Sequence, residues 1–252
     1  MSDFITAGEL FVVATPIGNI KDITLRALDS LKAVDLIACE DTRKTAFLCN
    51  EYGIKAKLVS YHDHNKESKG SYLLTELQNG RKIALVSDAG TPGINDPGYN
   101  IIHDALEAGI RVTALPGACA AIQALVSSGC ATDRFCYEGF LPVKKGRQTA
   151  LNRLREEERT IVIYESVHRI IKTMEELAEI FDQRTVCVLR EMTKMYEERF
   201  YGSATEVAEQ LKNSTVKGEY VIIINGISAK EKKSEKINKY ANLKAENDEN
   251  EE

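Results

Sequence analysis

The residues with the clearest chemical character lie in a glycine-rich loop, residues 87–98, which reads SDAGTPGINDPG. Three glycines, two prolines and two aspartates follow an apolar segment directly. Glycines let a ligand approach the backbone closely, and Asp88 is placed to accept hydrogen bonds from ligand hydroxyls or an ammonium. The loop contains neither GxxxxGK(S/T) nor GxGxxG, so a conventional pyrophosphate cradle is not expected.

Polar or small residues also follow three other apolar segments, as ATPIGN (14–19), EDTRK (40–44) and PGACAA (116–121). Acids at a helix start are mildly stabilising, whereas Arg43 and Lys44 are less expected there and suit a phosphate contact. Cys119 has no histidine nearby in sequence, which favours a small buried residue over a nucleophile.

Further ionisable groups lie in the second half of the chain, in PVKKGR (142–147), YESVHR (164–169) and REMTK (190–194). A histidine has a reference pKa of about 6.5, so His168 suits a general base. A surface histidine and structural ion pairs explain the same residues equally well.

The elements that must position these loops alternate in type. Apolar runs predict strands at 10–14, 36–39, 57–60, 82–87 and 111–115, with helices between them. In open α/β sheets, ligands bind beyond the carboxyl ends of the strands, where the glycine-rich loop falls. Later segments predict strands at 135–140, 160–164, 186–190, 197–202 and 219–224, around helices at 118–128, 167–181 and 204–212.

This pattern predicts the α/β class, with two α/β domains. Residues 1–117 are expected to form an N-terminal domain with a mostly parallel sheet, and 118–227 a C-terminal domain with a mixed sheet. Residues 228–252 are charged and poor in apolar side chains, so they are expected to form a solvated tail.

Composition restricts the function classes. No apolar run approaches the roughly 20 residues of a membrane span, and the N-terminus lacks a signal-peptide pattern, so we expect a cytoplasmic protein with no membrane partner. Six scattered cysteines without CxxC or zinc spacing predict free thiols and no metal site. A formal net charge of −5 with local basic clusters argues against indiscriminate binding of RNA.

Eight motifs in order carry a resemblance: ATPIGN (14–19), EDTRKT (40–45), SDAGTPGINDPG (87–98), LPGACA (115–120), DRF (133–135), EGFLPVK (138–144), YESVHR (164–169) and REMTK (190–194), followed by KGEYV (217–221). With them the chain resembles the members of the tetrapyrrole methylase family that methylate ribosomal RNA. Two departures are Val167, where the family usually has proline, and Met192, where it usually has leucine.

The resemblance implies a homodimeric enzyme that uses S-adenosyl-L-methionine, without a metal, for 2′-O-ribose methylation of cytidine 1402 in 16S rRNA of the assembled small ribosomal subunit. Its cofactor contacts carry over to Val13, Ala14, Asp88, Ala89, Thr91, Ala118 and Cys119, with Tyr164 from the second domain. For the base, we expect Glu165 or His168, with Glu40 and Asp41 as further candidates. The expected phosphate contacts are Arg43, Lys44, Lys145, Arg147, Arg169 and Lys194.

Two alternatives remain open. One is a tetrapyrrole C-methyltransferase of the same family, for which the basic set in EDTRKT and PVKKGR has little use. The other is a noncatalytic binding module associated with the ribosome, which would bind the cofactor or RNA but transfer no methyl group.

Overall fold

The computed structural model describes residues 8–181 and 184–227. The described residues divide into two compact units by their contacts. The first contains the chain up to Ala120 together with Met192–Lys194, and the second contains the remainder. The domains predicted at 1–117 and 118–227 stay a prediction, and the predicted tail, 228–252, lies outside the described residues.

The first unit is built on a five-stranded sheet in the order β3-β2-β4-β1-β5, and all neighbouring strands are parallel. Its strands are β1 (Glu9–Val13), β2 (Leu36–Cys39), β3 (Lys57–Ser60), β4 (Lys82–Val86) and β5 (Arg111–Leu115). Its helices are α1 (Leu25–Ala33), α2 (Thr42–Glu51), α3 (Lys66–Gln78) and α4 (Tyr99–Glu107). Because the strands are parallel, the loops that follow them emerge at one edge of the sheet.

Both faces of this sheet are buried, as β4 illustrates. Its side chains alternate between two apolar clusters: Ile83 and Leu85 pack in one, Ala84 and Val86 in the other. Side chains of a strand point alternately to opposite faces, so two clusters mean helices on both sides. This burial explains the continuous apolar run of β4.

The second unit contains a mixed sheet in the order β6-β7-β10-β8-β9. Its strands are β6 (Phe135–Phe140), β7 (Thr160–Ser166), β8 (Thr185–Arg190), β9 (Glu198–Ser203) and β10 (Glu219–Ile224). Within the described part of this second sheet, β6 and β7 pair in parallel, and the other neighbouring strands are antiparallel. The helices are α5 (Ala120–Ser128), α6 (Arg147–Arg155), α7 (Ile170–Phe181) and α8 (Ala204–Lys212). The predicted α/β class, with a parallel first sheet and a mixed second sheet, is confirmed.

The structure contains two local features that the sequence analysis did not predict, and it shifts the starts of two predicted helices. Helix α6 was not predicted, although Arg147, Leu151 and Leu154 share a buried face at helical spacing. Asn19 caps a 3-10 turn, whereas α1 begins after Thr24, whose hydroxyl accepts from the amide of Ala27. The helices predicted from 118 and 167 begin at Ala120 and Ile170. Residues 164–166 of the YESVHR motif therefore lie in β7, and residues 167–169 lie in the turn that follows it.

Candidate functional site

Two loops at the carboxyl edge of the first sheet are bonded to each other. The first-strand loop (residues 14–19) meets the glycine-rich loop where Thr15 and Gly90 exchange two backbone hydrogen bonds, each 2.9 Å long. The Thr15 hydroxyl also donates to the carbonyl of Ser87 at 3.1 Å. Gly90 has a φ of 82°, a left-handed conformation that favours glycine. The two loops therefore form one rigid surface.

The segment before α5 closes this surface from a third side. The Thr91 hydroxyl donates to the carbonyl of Ala118 at 2.9 Å. A Cβ atom at Gly117 would lie 2.6 Å from the Cβ of Ala14, so this contact requires glycine. Small residues from three separate loops thus pack against one another at the strand ends, and we call this group of loops the cradle.

Most of the predicted cofactor residues converge on this cradle. Val13 is the last residue of β1 and Ala14 follows it. Ala89 and Thr91 flank Gly90, and the carbonyl of Ala118 accepts the hydrogen bond from Thr91. Cys119 follows in the same segment and is half-buried.

All six cysteines are free and five are buried, which confirms the expected free thiols. Burial raises the pKa of Cys136 to about 11.

Asp88 joins this cradle to the predicted phosphate contacts at the start of α2. One of its carboxylate oxygens accepts from the amide of Asp41 at 3.0 Å, and the other accepts from Lys44 Nζ at 2.7 Å. Asp41 caps α2 and pairs with Arg43, whose guanidinium holds the pKa of the Asp41 carboxyl down at about 2. The Arg43 and Lys44 side chains are 89% and 64% exposed, so both cations still face solvent.

Asp96, which was not among the predicted site residues, lines a narrow cavity with Glu40, Tyr61 and Ser87. Burial, followed by the negative charge of Glu40, raises the pKa of Asp96 to about 6. Burial and the charge of Asp88 also raise the pKa of Glu40. The only sequence signal was an aspartate late in the glycine-rich loop, which does not indicate burial.

In the second unit, Tyr164 lies at the start of α5. Its hydroxyl accepts from the amide of Ala121 at 3.0 Å, and its ring packs edge-on against Tyr137 and Phe140. The amide of Ala121 is one of the donors that a helix start leaves without an intrahelical partner. The role of Tyr164 toward a cofactor stays a prediction.

Glu165 is the centre of a buried hydrogen-bonded network. Its side chain has no solvent exposure and pairs with Arg169 at 2.7 Å. Its carboxylate also accepts from the Ser166 amide and from the Thr173 hydroxyl, both at 2.7 Å. Thr173 in turn accepts from Arg147 at 2.8 Å, and Arg147 pairs with Glu176.

This network changes the interpretation of three predicted site residues. Arg147 is 8% exposed, and its third nitrogen donates to the carbonyl of Pro142. Arg169 similarly donates to the carbonyl of Leu141. These bonds hold the turn after β6 in place, so we remove Arg147 and Arg169 from the predicted RNA surface. Full pairing likewise favours a structural role for Glu165.

The remaining predicted groups stay accessible. His168 lies in the exposed turn between β7 and α7, and Lys145 is exposed in the turn before α6. Lys194 is half-buried and clusters with the first unit.

Within residues 8–181 and 184–227, no helix combines the length and apolar character of a membrane span. Nor do these residues bring three His, Cys, Asp or Glu side chains together as metal ligands.

Comparison with solved structures identifies proteins that share the fold of this chain. Diphthine synthase aligns with a TM-score of 0.68 at 14% identity, covering 86% of this chain and 90% of that one. Uroporphyrin-III C-methyltransferase from Thermus thermophilus, complexed with S-adenyl homocysteine, aligns with a TM-score of 0.61 at 19% identity, covering 86% and 97%. At these identities the likeness concerns the fold alone.

Proteins related by sequence have a much higher identity to this chain than these solved structures have. Ribosomal RNA small subunit methyltransferase I from Escherichia coli O157:H7 is 50% identical over 228 residues, which cover 89% of this chain and 80% of that protein. The protein of the same name from Bacillus subtilis (strain 168) is 45% identical over 225 residues, covering 89% and 77%. The family model described as Tetrapyrrole (Corrin/Porphyrin) Methylases matches residues 9–208. The chain therefore belongs to the tetrapyrrole methylase family, as the ordered motifs predicted.

Proposed function

We propose that this protein is an S-adenosyl-L-methionine-dependent methyltransferase that methylates the ribose 2′-oxygen of cytidine 1402 in 16S rRNA. The observation that carries the proposal is the 50% identity, over 89% of this chain, to a protein named ribosomal RNA small subunit methyltransferase I. The exact nucleotide and the 2′-oxygen rest on the resemblance of the motifs.

The cradle at the strand ends fits the cofactor. The contact between Gly117 and Ala14 leaves no side chain to obstruct a flat nucleoside, and the surface offers backbone groups rather than a phosphate-binding pattern. We propose that Val13, Ala14, Ala89, Thr91, Ala118, Cys119 and Tyr164 contact it, with Asp88 accepting from its polar hydrogens. When bound, the cofactor would supply a methyl group on a sulfonium sulfur, which is displaced readily because it departs as a neutral thioether.

For the ribosomal RNA, we propose four solvent-accessible cations as phosphate contacts. Arg43 and Lys44 project from the start of α2, and Lys145 lies in the turn that Arg147 and Arg169 hold. Together with Lys194, these side chains would contact phosphates, which fix orientation without reading sequence. Because the whole chain is acidic, affinity depends on a target that matches the position of these cations.

The chain must orient the ribose hydroxyl and accept its proton. Orientation alone contributes up to roughly 7–11 kcal/mol in well-aligned reactions. His168 is the proposed proton acceptor, because its imidazole is exposed in the turn that follows β7. Glu165, the other predicted base, would act by fixing the β7–α7 turn on which His168 lies.

We also propose a homodimer that works in the cytoplasm, where assembled small subunits occur. The exposed apolar side chains of Ile122 and Val126, one turn apart on α5, support a protein contact there.

The test is transfer of tritium from labelled S-adenosyl-L-methionine to small ribosomal subunits from a strain without this methylation. We expect label in the 16S rRNA, recovered as 2′-O-methylcytidine after digestion to nucleosides. Label on a cytosine base, or none in subunits while a tetrapyrrole is labelled, would contradict the proposal. Lys145→Ala should reduce labelling at low subunit concentration, whereas Lys32→Ala, an exposed lysine on α1, should not.

A further inference from the structure

A strained segment follows β8. Glu191 has a φ of 52° and Thr193 a φ of 66°, so two non-glycine residues flanking Met192 adopt the left-handed conformation. Left-handed backbone is a genuine outlier for a β-branched residue such as threonine. Such conformations persist only where the surrounding contacts determine them, and they concentrate at functional sites. The contacts of Thr193 therefore need an explanation.

Those contacts are made with the first-strand loop. Met192–Lys194 cluster with the first unit, although the residues on either side of them cluster with the second. The Thr193 hydroxyl accepts a hydrogen bond from the backbone amide of Asn19 at 3.0 Å. This bond joins residues 174 positions apart in the chain.

The approach to the loop is so close that it requires glycine at position 18. A Cβ atom on Gly18 would lie 2.5 Å from Lys194 Cγ, 2.6 Å from Thr193 Oγ1 and 2.9 Å from the Met192 carbonyl oxygen. A side chain at position 18 would have no room, because the strained segment occupies the space where its Cβ atom would lie.

The first-strand loop is consequently fixed at both ends. At its start, Thr15 is bonded to Gly90 through two backbone hydrogen bonds. At its end, the Asn19 amide donates to Thr193, while the Asn19 side chain accepts from the amide of Lys21. Between these points lie only Pro16, Ile17 and Gly18, so the loop has little freedom while both attachments hold.

We propose that Thr193 is a positioning residue for cofactor binding, whose hydroxyl holds the first-strand loop in the conformation that receives S-adenosyl-L-methionine. The inference rests on the proposed function, because it assigns the cofactor to the cradle that begins at Ala14. Thr193 itself need not touch the cofactor, since its effect passes through the amide of Asn19.

Loss of the hydroxyl should therefore weaken binding more than it weakens the fold. A loop that is already ordered pays less entropy on binding than one that the ligand must order. Since a net hydrogen bond corresponds to a factor of roughly 2 to 10 in an equilibrium constant, Thr193→Val should raise the dissociation constant for S-adenosyl-L-methionine by about that factor. The KM for the cofactor should rise similarly, while kcat at saturating cofactor stays near the wild-type value.

Calorimetric titration of S-adenosyl-L-methionine into the full-length protein, without RNA, measures the effect directly. Thr193→Ser keeps the hydroxyl and should bind as the wild type does. Thr113→Val is the matched control, because Thr113 donates to Glu9 from within β5 and its loss leaves the first-strand loop untouched. In the free protein, Thr193→Val should also speed hydrogen exchange at the amides of residues 17–19.

Gly18→Ala provides a second, independent variant, because its Cβ would displace the strained segment without removing the hydroxyl. It should weaken cofactor binding at least as much as Thr193→Val. Wild-type affinity in both variants, or an equal loss in Thr193→Val and Thr113→Val, would overturn the inference. Failure of the wild-type protein to bind S-adenosyl-L-methionine would instead overturn the proposed function.

Discussion

Glu165→Gln separates a structural role from a chemical one. The replacement keeps the shape of the side chain but removes its charge and turns one acceptor oxygen into a donor. In the wild type, both oxygens accept only, from Arg169, Ser166 and Thr173. The new amide group would face at least one donor that it cannot satisfy, and Arg169 would lose its counter-charge.

The size of the effect follows from burial. Breaking a fully buried ion pair costs about 3–5 kcal/mol. The Arg169 side chain is 22% exposed, so water recovers part of that cost, and we expect about 2–3 kcal/mol. For a chain of this length, such a loss lowers the Tm by roughly 4–12 °C.

Differential scanning calorimetry measures the shift, and single-turnover methylation of small subunits, well below the Tm, measures the chemistry. We expect the Tm to fall while the rate stays within about tenfold of the wild type, less than the 10²–10⁴-fold effect typical of a lost general base. The matched control is Glu175→Gln on α7, whose 49% exposed side chain pairs with Lys212 and should contribute less than about 1 kcal/mol. An unchanged Tm with a rate lowered more than about 100-fold would refute the reasoning and make Glu165 the base.

Three further predictions concern other residues. His168→Ala should lower the single-turnover rate by about 10²-fold or more, with cofactor affinity unchanged in calorimetry. Gly117→Ala should weaken cofactor binding about tenfold or more in the same titration, because its Cβ would lie 2.6 Å from that of Ala14. Burial raises the pKa of Asp96 to about 6, so the folded protein favours the protonated carboxyl. The contribution of this group to the free energy of unfolding is therefore fully present below pH 4 and is lost as the pH rises through 6. Asp96→Asn cannot ionise, so urea unfolding should find it about 1 kcal/mol more stable than wild type at pH 8, after allowance for solvent screening, and equal at pH 4.

The sheets were predictable because their signals are local. Each strand of the first sheet is a short apolar run between polar segments, and helices of the first unit stop at glycines such as Gly53 and Gly80, both at positive φ. The cradle was predictable as well, because the carboxyl ends of parallel strands share one edge. The loops could therefore be grouped without knowing any side-chain contact.

The roles of single charged residues were not predictable, because burial depends on distant partners. Arg147 and Lys145 are two positions apart in one basic cluster, yet one is buried against Thr173 and Glu176 and the other is exposed. The helical spacing of Arg147 with Leu151 was the available signal. No comparable signal pointed to a role for Thr193, because its hydrogen-bond partner Asn19 lies 174 positions away in the chain.

The strand order has a consequence for synthesis. β1 is translated early, but its neighbours are β4 and β5, so neither partner exists until about 70 residues later. At ribosomal rates of about 5–20 residues per second, the apolar strand waits unpaired for roughly 4–14 s. During that interval both of its edges can pair with other nascent chains, so chaperone demand should peak before β4 emerges.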